Sequence, residues 1–302
     1  MSGSSLTENG IEPSGSYEAE NMPTCGFIGL GDMGRPIAAR IAGAGFALRL
    51  WARRAASLDG LLQEQVLSCP TPRQLGAVCD FVGVCLRTDE EIFDVVLRQP
   101  DGLLHEMRPG AVLMIHSTVL PETIFRLNEE AQARGVQLLD APVSGGGKGA
   151  ARGTLTVLIG GDADTVEKAM PVLRSFASNC PHVGALGSAQ MLKLINNNLC
   201  YANLSLSIAA LDLAEELGID PAMAAAVIAT SSGASHGLDL IRNNLSLKKM
   251  TGDTSNVPKD IKHLVDVAEQ KGIALSPLME VSLTALTALK AYVAAGSPGL
   301  SR

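Results

Sequence analysis

Lys193 and Asn197 lie four residues apart in a stretch of helical period, so they share one helix face. Their neighbours Leu194, Ile195, Asn196 and Asn198 are apolar or amide-bearing, not where solvation alone would place a charge. A lysine partly withdrawn from water has a lowered pKa and exchanges protons near neutrality. A lysine near a helix start can instead snorkel to solvent, and on these residues alone both readings stay open. A second constellation is Gly29-Leu30-Gly31-Asp32-Met33-Gly34, which follows a strand-like run and opens a helix. The first glycine permits the tight turn, the second lets the backbone approach a pyrophosphate, and the third lets helix and strand pack closely. Phosphates then sit on N–H groups at the helix N-terminus. After the second strand, where NAD sites usually carry Asp or Glu, the chain reads Ala52-Arg53-Arg54. Two guanidiniums suit a 2′-phosphate, and the alternative is a solvated basic turn.

Two weaker signals complete the chemistry. Small residues from Asp140 to Gly149, with Ser144, Gly145 and Gly146 at their centre, can form a backbone nest for a carboxylate or simply a flexible turn. Lys259-Asp260 opens a helix, and a lysine in a first turn opposes the macrodipole. That hints at a use, a surface pair being the default.

These residues need elements to position them. Thr24–Gly29, Ala47–Trp51, Phe81–Cys85, Ala111–Ile115 and Val136–Leu139 are strand-like runs, separated by helical stretches such as Pro36–Ala44, Glu90–Arg98 and Glu122–Arg134. Such alternation implies right-handed βαβ units and a mostly parallel sheet. Thr154–Ile159 and His182–Val183, flanking a helix at Ala163–Phe176, extend that sheet in the other sense. Beyond Gly187 the strand signal ends: Ser188–Leu217 reads as one helix of about 45 Å, followed by helices over 221–230, 235–246, 258–271 and 277–294. The expected fold is therefore α/β: an N-terminal Rossmann-type dinucleotide-binding domain, a long interdomain helix and an all-α C-terminal domain. The expected division is a disordered tail at 1–22, the dinucleotide domain at 23–187, and an all-α domain at 188–302.

Composition narrows the partners. Of 302 residues, 46% are hydrophobic and 18% charged, enough for a large core, and the net charge is −7 with no Lys/Arg-rich run. That argues against nucleic acid and against an anionic membrane, which need a basic face. The charge-free stretches Leu194–Leu211 and Pro221–Leu238 carry too many Asn and Ser residues, or a Ser-Ser-Gly break and His236, to span a bilayer. Six scattered cysteines without a CxxC pair point to reduced, buried thiols and a cytoplasmic protein. Five histidines without HExxH spacing give no metal site. Residues 1–22 read as a loose tail, not a signal peptide.

Taken together, the motifs resemble the β-hydroxyacid dehydrogenase family over residues 24 to about 295. The resemblance rests on Phe27–Gly34, on Asp140–Gly146 with Gly153-Thr154-Leu155, on Lys193 to Asn197, and on Lys259-Asp260, in that order. It implies that Lys193 is the general acid/base and that Asn197 hydrogen-bonds the substrate. Ser144, Gly145 and Gly146 would bind the substrate carboxylate. Leu86, Arg87 and Thr118 would line the cofactor cleft, with Lys259 closing over it. The implied activity is hydride transfer between NADP(H), NAD being possible, and a small 3-hydroxy acid or its semialdehyde, in a homodimer or homotetramer. The resemblance gives substrate binding and oligomerisation to the all-α domain at 188–302. The alternatives are a reductase of another carbonyl or imine on the same fold, whose imine-reducing representatives generally lack the lysine, and a silent binding module, which would lose it. This chain departs from the family at Arg40, at Ala52-Arg53-Arg54 and in the run 252–258, so the substrate cannot be copied from well-known members.

Overall fold

Alternating side chains along four-residue strands supply both faces of the sheet. In β1 (Cys25–Ile28), Cys25 and Phe27 enter one core while Ile28 enters the other; in Val112–Ile115, Val112 and Met114 part in the same way from Leu113 and Ile115. A strand buried on both faces is the signature of a parallel sheet covered by helices. The structure, a computed structural model, describes residues 22–98, 100–243, 250–251 and 256–294. Apart from Met22, the expected tail lies outside the described residues. So do 244–246 of the expected helix 235–246 and 252–255 of the run before Pro258.

From β1 the chain runs through α1 (Gly34–Gly43), β2 (Leu48–Trp51), β3 (Val66–Ser68), α2 (Pro72–Val78), β4 (Phe81–Val84), α3 (Asp89–Leu97), β5 (Val112–Ile115), α4 (Pro121–Gln132) and β6 (Gln137–Asp140). The strands pair in the order β3-β2-β1-β4-β5-β6, all parallel. This is the doubly wound order, in which the crevice at the carboxyl ends of β1 and β4 binds dinucleotides. α1 buries Ile37, Ala38, Ile41 and Ala42 on one face of the sheet, while α2, α3 and α4 cover the other. Burying each large aliphatic side chain contributes about 1.5–3 kcal/mol. Thr71, Thr88 and Asp162 cap α2, α3 and the helix at Ala163–Arg174 by accepting a backbone N–H three residues on.

Two expectations are corrected beyond β6. The strand read at Thr154–Ile159 is two strands in two sheets. After β7 (Val143–Ser144) and α5 (Gly146–Arg152), β8 (Leu155–Val157) pairs with β7 and later with β10 (Ala177–Asn179), forming a separate three-stranded sheet. The chain turns at Leu158, whose N–H donates to Pro142 O, and β9 (Ile159–Gly160) joins the main sheet antiparallel to β6. β11 (His182–Gly184), after α6 (Ala163–Arg174), pairs parallel with β9 at that edge, in the opposite sense as expected. The second correction is α5: the glycine-rich segment read as a nest or turn becomes a helix from Gly146 onward.

α7 (Ser188–Glu216) is the long helix, 29 residues without a break. It packs against α9 (His236–Arg242), α10 (Val257–Gln270) and α11 (Pro277–Ala294), with α8 (Pro221–Ile228) at its far end. Leu204, Ile208, Leu211, Leu238, Ile241 and Leu289 make the principal core of this all-helical part. Among the described residues, no helix is long and apolar enough to cross a membrane.

Candidate active site

The glycine-rich loop closes around two contacts that no side chain could tolerate. Gly29 has φ +98°, and a Cβ there would lie 2.1 Å from Cys85 O; a Cβ on Gly34 would lie 1.8 Å from Gly29 O. At Gly31, by contrast, a Cβ would meet nothing within 4 Å, so the backbone here faces open space at the start of α1. That helix carries no acidic residue in its first turn. Anions are favoured at such a terminus. The loop opens into a cleft of about 850 Å³. Its walls are Gly29–Gly34, Trp51–Arg54, Cys85–Arg87, Glu91 on α3 and Asn256 just before α10. A dinucleotide fits this arrangement: an open glycine over a helix N-terminus, and two guanidiniums but no carboxylate at the end of β2.

Arg53 and Arg54 both line this cleft. Arg53 donates to Glu91 Oε1 at 3.3 Å, and the other oxygen of Glu91 accepts from Arg87 N at 3.1 Å. With the Arg53 side chain 79% exposed, that ion pair contributes little and can be exchanged for another anion. Arg40 instead donates to Ser175 O at 3.3 Å and crowds Gly153, joining α1 to the end of α6.

Lys193 is 5% exposed, so the snorkelling alternative is excluded. Burial pushes its amine down to about 8, while the negative charge of Asp260 opposes that shift. Asp260, itself 2% exposed, gathers the neighbourhood. Its Oδ2 accepts from Asn197 Nδ2 at 2.9 Å and from the Tyr201 hydroxyl at 3.1 Å, and its backbone oxygen accepts from Asn198 Nδ2 at 3.1 Å. Burial, then the Asp260 charge, hold the Tyr201 phenol well above its ordinary value. Lys259 Nζ stands 3.4 Å from Asp260 Oδ1 and donates to Thr118 O, reaching from α10 to the end of β5. Four residues on, His263 Nε2 lies 3.5 Å from Asp89 Oδ2, and Asp89 Oδ1 accepts from Leu120 N and Thr123 Oγ1.

The structure thus brings Lys193, Asn197, Lys259 and Thr118 into one cluster around Asp260. Leu86 joins the same edge, its N–H donating to Ser117 Oγ at 2.7 Å. Ser144, Gly145 and Gly146 lead into α5, which packs against α1 beside the glycine-rich loop. Gly145 and Gly146 both have positive φ, and a Cβ on the next residue, Gly147, would lie 2.9 Å from Asp32 O. Among the described residues no hydrogen bond ties these three to Lys193 or Asn197. Sequence reasoning overlooked Asp260 as a centre of the site, although its pairing with Lys259 was visible; Tyr201 gave no such signal.

The same organisation occurs in known proteins. The sequence model for the NAD binding domain of 6-phosphogluconate dehydrogenase matches residues 24–184. The model for the NAD-binding domain of NADP-dependent 3-hydroxyisobutyrate dehydrogenase matches residues 187–297. The NAD-dependent L-serine dehydrogenase of Pseudomonas aeruginosa is 33% identical over 72% of this chain and 73% of its own length. The 3-hydroxyisobutyrate dehydrogenase of the same organism is 34% identical over the same shares. Among solved structures, the 3-hydroxyisobutyrate dehydrogenase of Mycobacterium tuberculosis with L-serine superposes with a TM-score of 0.75. It is 27% identical, covering 93% of this chain and 96% of that one.

Proposed function

The chain belongs to the β-hydroxyacid dehydrogenase family of nicotinamide-dependent oxidoreductases, and on that premise we propose that it transfers hydride between NADP(H) and a small 3-hydroxy acid or the matching semialdehyde. The observation that carries this reading is Lys193, a lysine amine buried on a helix face with Asn197 and held near neutrality. An amine that titrates close to the operating pH is available both neutral, to take the hydroxyl proton as hydride departs, and protonated, to return it. The bound dinucleotide would supply the hydride acceptor or donor at its nicotinamide ring.

The chain's own residues do the rest. Neutral Lys193 accepts the hydroxyl proton during oxidation, and its ammonium returns it during reduction. Asn197 holds the substrate oxygen near that amine, with its amide oriented by Asp260. Ser144 and the backbone at Gly145 and Gly146 receive the carboxylate, favoured there by the start of α5. Gly29 to Gly34 cradle the pyrophosphate, Ala52 leaves room at the ribose, and Arg53 and Arg54 grip the 2′-phosphate. Leu86 and Arg87 line the cleft, Thr118 would stand beside the nicotinamide, and Lys259, which donates to Thr118 O, closes it from α10.

The relatives point to the substrate class. L-serine and 3-hydroxyisobutyrate both carry a hydroxymethyl group on the carbon that bears the carboxylate. The two arginines support NADP(H), while the NAD-dependent relative requires that both cofactors be assayed. We assign residues 23–187 to the dinucleotide domain and 188–302 to the substrate and oligomerisation domain. α8 supports a homodimer or homotetramer: its sequence is apolar, yet only Ala225 is buried, and Met223 and Val227 are 62% and 55% exposed. The free thiols among the described cysteines support a cytoplasmic location. Purified protein tested with NADP⁺ and NAD⁺ against L-serine, 3-hydroxyisobutyrate and other 3-hydroxy acids should reduce the nicotinamide with at least one of them. No turnover across that panel would refute the proposal.

A further inference from the structure

Asp140 and Gln190 have no part in the roles assigned above, yet both are completely buried. Asp140 ends β6. Its Oδ1 accepts from Gly187 N at 2.8 Å and its Oδ2 from Gln190 N at 2.9 Å. A carboxylate from a distant strand therefore caps α7, whose own N-cap, Gly187, has no side chain to offer. β9 closes over this contact: a Cβ on Gly160 would lie 2.3 Å from Asp140 Oδ1.

Gln190 continues the attachment from the helix side. Its Oε1 accepts from Val119 N at 3.0 Å and its Nε2 donates to Ser117 O at 2.9 Å. One amide thus pairs with the peptide groups on both sides of Thr118, as an adjacent strand would, while Thr118 O accepts from Lys259. Gln190, Lys193 and Asn197 fall at i, i+3 and i+7 on α7 and share one face. Lys193 is less than one turn beyond the fastening.

We propose, resting on the role given to Lys193 above, that Asp140 and Gln190 are positioning residues for proton transfer: they fasten the first turn of α7 to Ser117–Val119 and so fix where the Lys193 amine stands relative to Thr118. The demand on that fastening is tight. A rotation of α7 by about 10° about its axis moves a side-chain tip at about 6 Å radius by about 1 Å. A misplacement of that size can lower a rate roughly a hundredfold. Asp260 from α10 and Cys200 from α7 face Lys193 and are left untouched by changes at Asp140 or Gln190.

Gln190→Met keeps the side-chain length and removes both amide bonds; Gln190→Glu keeps the acceptor for Val119 N; Asp140→Asn keeps one of the two cap acceptors. Turnover of L-serine or 3-hydroxyisobutyrate should fall at least about tenfold in Gln190→Met and less in Gln190→Glu. NADP⁺ affinity should stay within about twofold, read from the fluorescence of Trp51, the only tryptophan and a wall of the cleft. The Lys193 amine is titrated without substrate, by NMR after reductive ¹³C-methylation, with Lys193→Arg assigning its signal. Its midpoint should rise from about 8 toward the ordinary lysine value in Gln190→Met and Asp140→Asn, neither of which adds a negative charge beside it. Should Gln190→Met fail to fold, Asp140→Asn carries the same readouts. A lowered melting temperature with unchanged kcat and unchanged Lys193 titration would overturn the proposal. Failure of the wild-type protein to turn over any 3-hydroxy acid would instead count against the functional reading, and the titration would still judge the positioning.

Discussion

Lys193 should make oxidation and reduction respond to pH in opposite senses. Its amine is lowered from 10.5 to about 8, chiefly by burial. Below both values the neutral fraction grows tenfold per pH unit, so the shift multiplies neutral amine at pH 7 by about 300, from about 0.03% to about 9%. Oxidation needs the neutral amine: kcat/KM should climb about tenfold per unit up to about pH 8 and then level. Reduction needs the ammonium, so its kcat/KM should be flat at low pH and fall above about 8. Asp260 opposes the shift, so Asp260→Asn should move both midpoints to lower pH. The assay is initial velocity in each direction across pH in buffers of constant ionic strength, following absorbance of the reduced nicotinamide. Parallel profiles in the two directions, or midpoints near 10.5, would refute the role given to Lys193.

Lys193→Ala should lower kcat by at least about a hundredfold, the lower end for general acid–base catalysis, with NADP⁺ affinity unchanged; near-normal turnover would make Lys193 a spectator. Gly31→Ala should raise the cofactor dissociation constant at least about tenfold without altering the melting temperature, since its Cβ meets only open space where the pyrophosphate is expected. Gly34→Ala, whose Cβ would lie 1.8 Å from Gly29 O, should lower both stability and affinity; equal melting curves for the two variants would contradict this contrast. NADP⁺ should be preferred over NAD⁺ by roughly tenfold, a difference of about 1.4 kcal/mol. Arg53→Ala should reduce that preference by raising KM for NADP⁺ alone, and high salt should narrow it. Equal kcat/KM for both cofactors, unchanged in Arg53→Ala, would show that the arginines do not read the phosphate.

Local patterns made the dinucleotide half legible. Strand, glycine turn and helix follow one another within Cys25–Gly43, and each is set by residues a few positions apart. β3 escaped notice because it is a three-residue edge strand with Leu67 half exposed, too short for any periodicity to register. α5 escaped because Gly146, Gly147 and Gly149 argue against a helix on propensity, and packing against Asp32 and Leu155 overrides them. In the cluster around Lys193, the reading found the helix face but not what holds it. Asp140 reaches partners 47 and 50 residues away, and Gln190 reaches 71 and 73 residues back. Separations of that order leave no trace in spacing, so a capping carboxylate and a core amide looked like ordinary strand-end and helix residues.

The attachment of α7 at its first turn also makes the helix a lever with its fulcrum beside the chemistry. From Gln190 to Glu216 is about 39 Å at 1.5 Å per residue, whereas Lys193 lies only about 4.5 Å from Gln190. A rigid tilt of about 5° about that fulcrum would carry the far end, with α8 beyond it, through about 3.4 Å, but shift the axis at Lys193 by only about 0.4 Å. A displacement at the far end of α7 is therefore scaled down about ninefold at Lys193, which stays almost in register with Thr118.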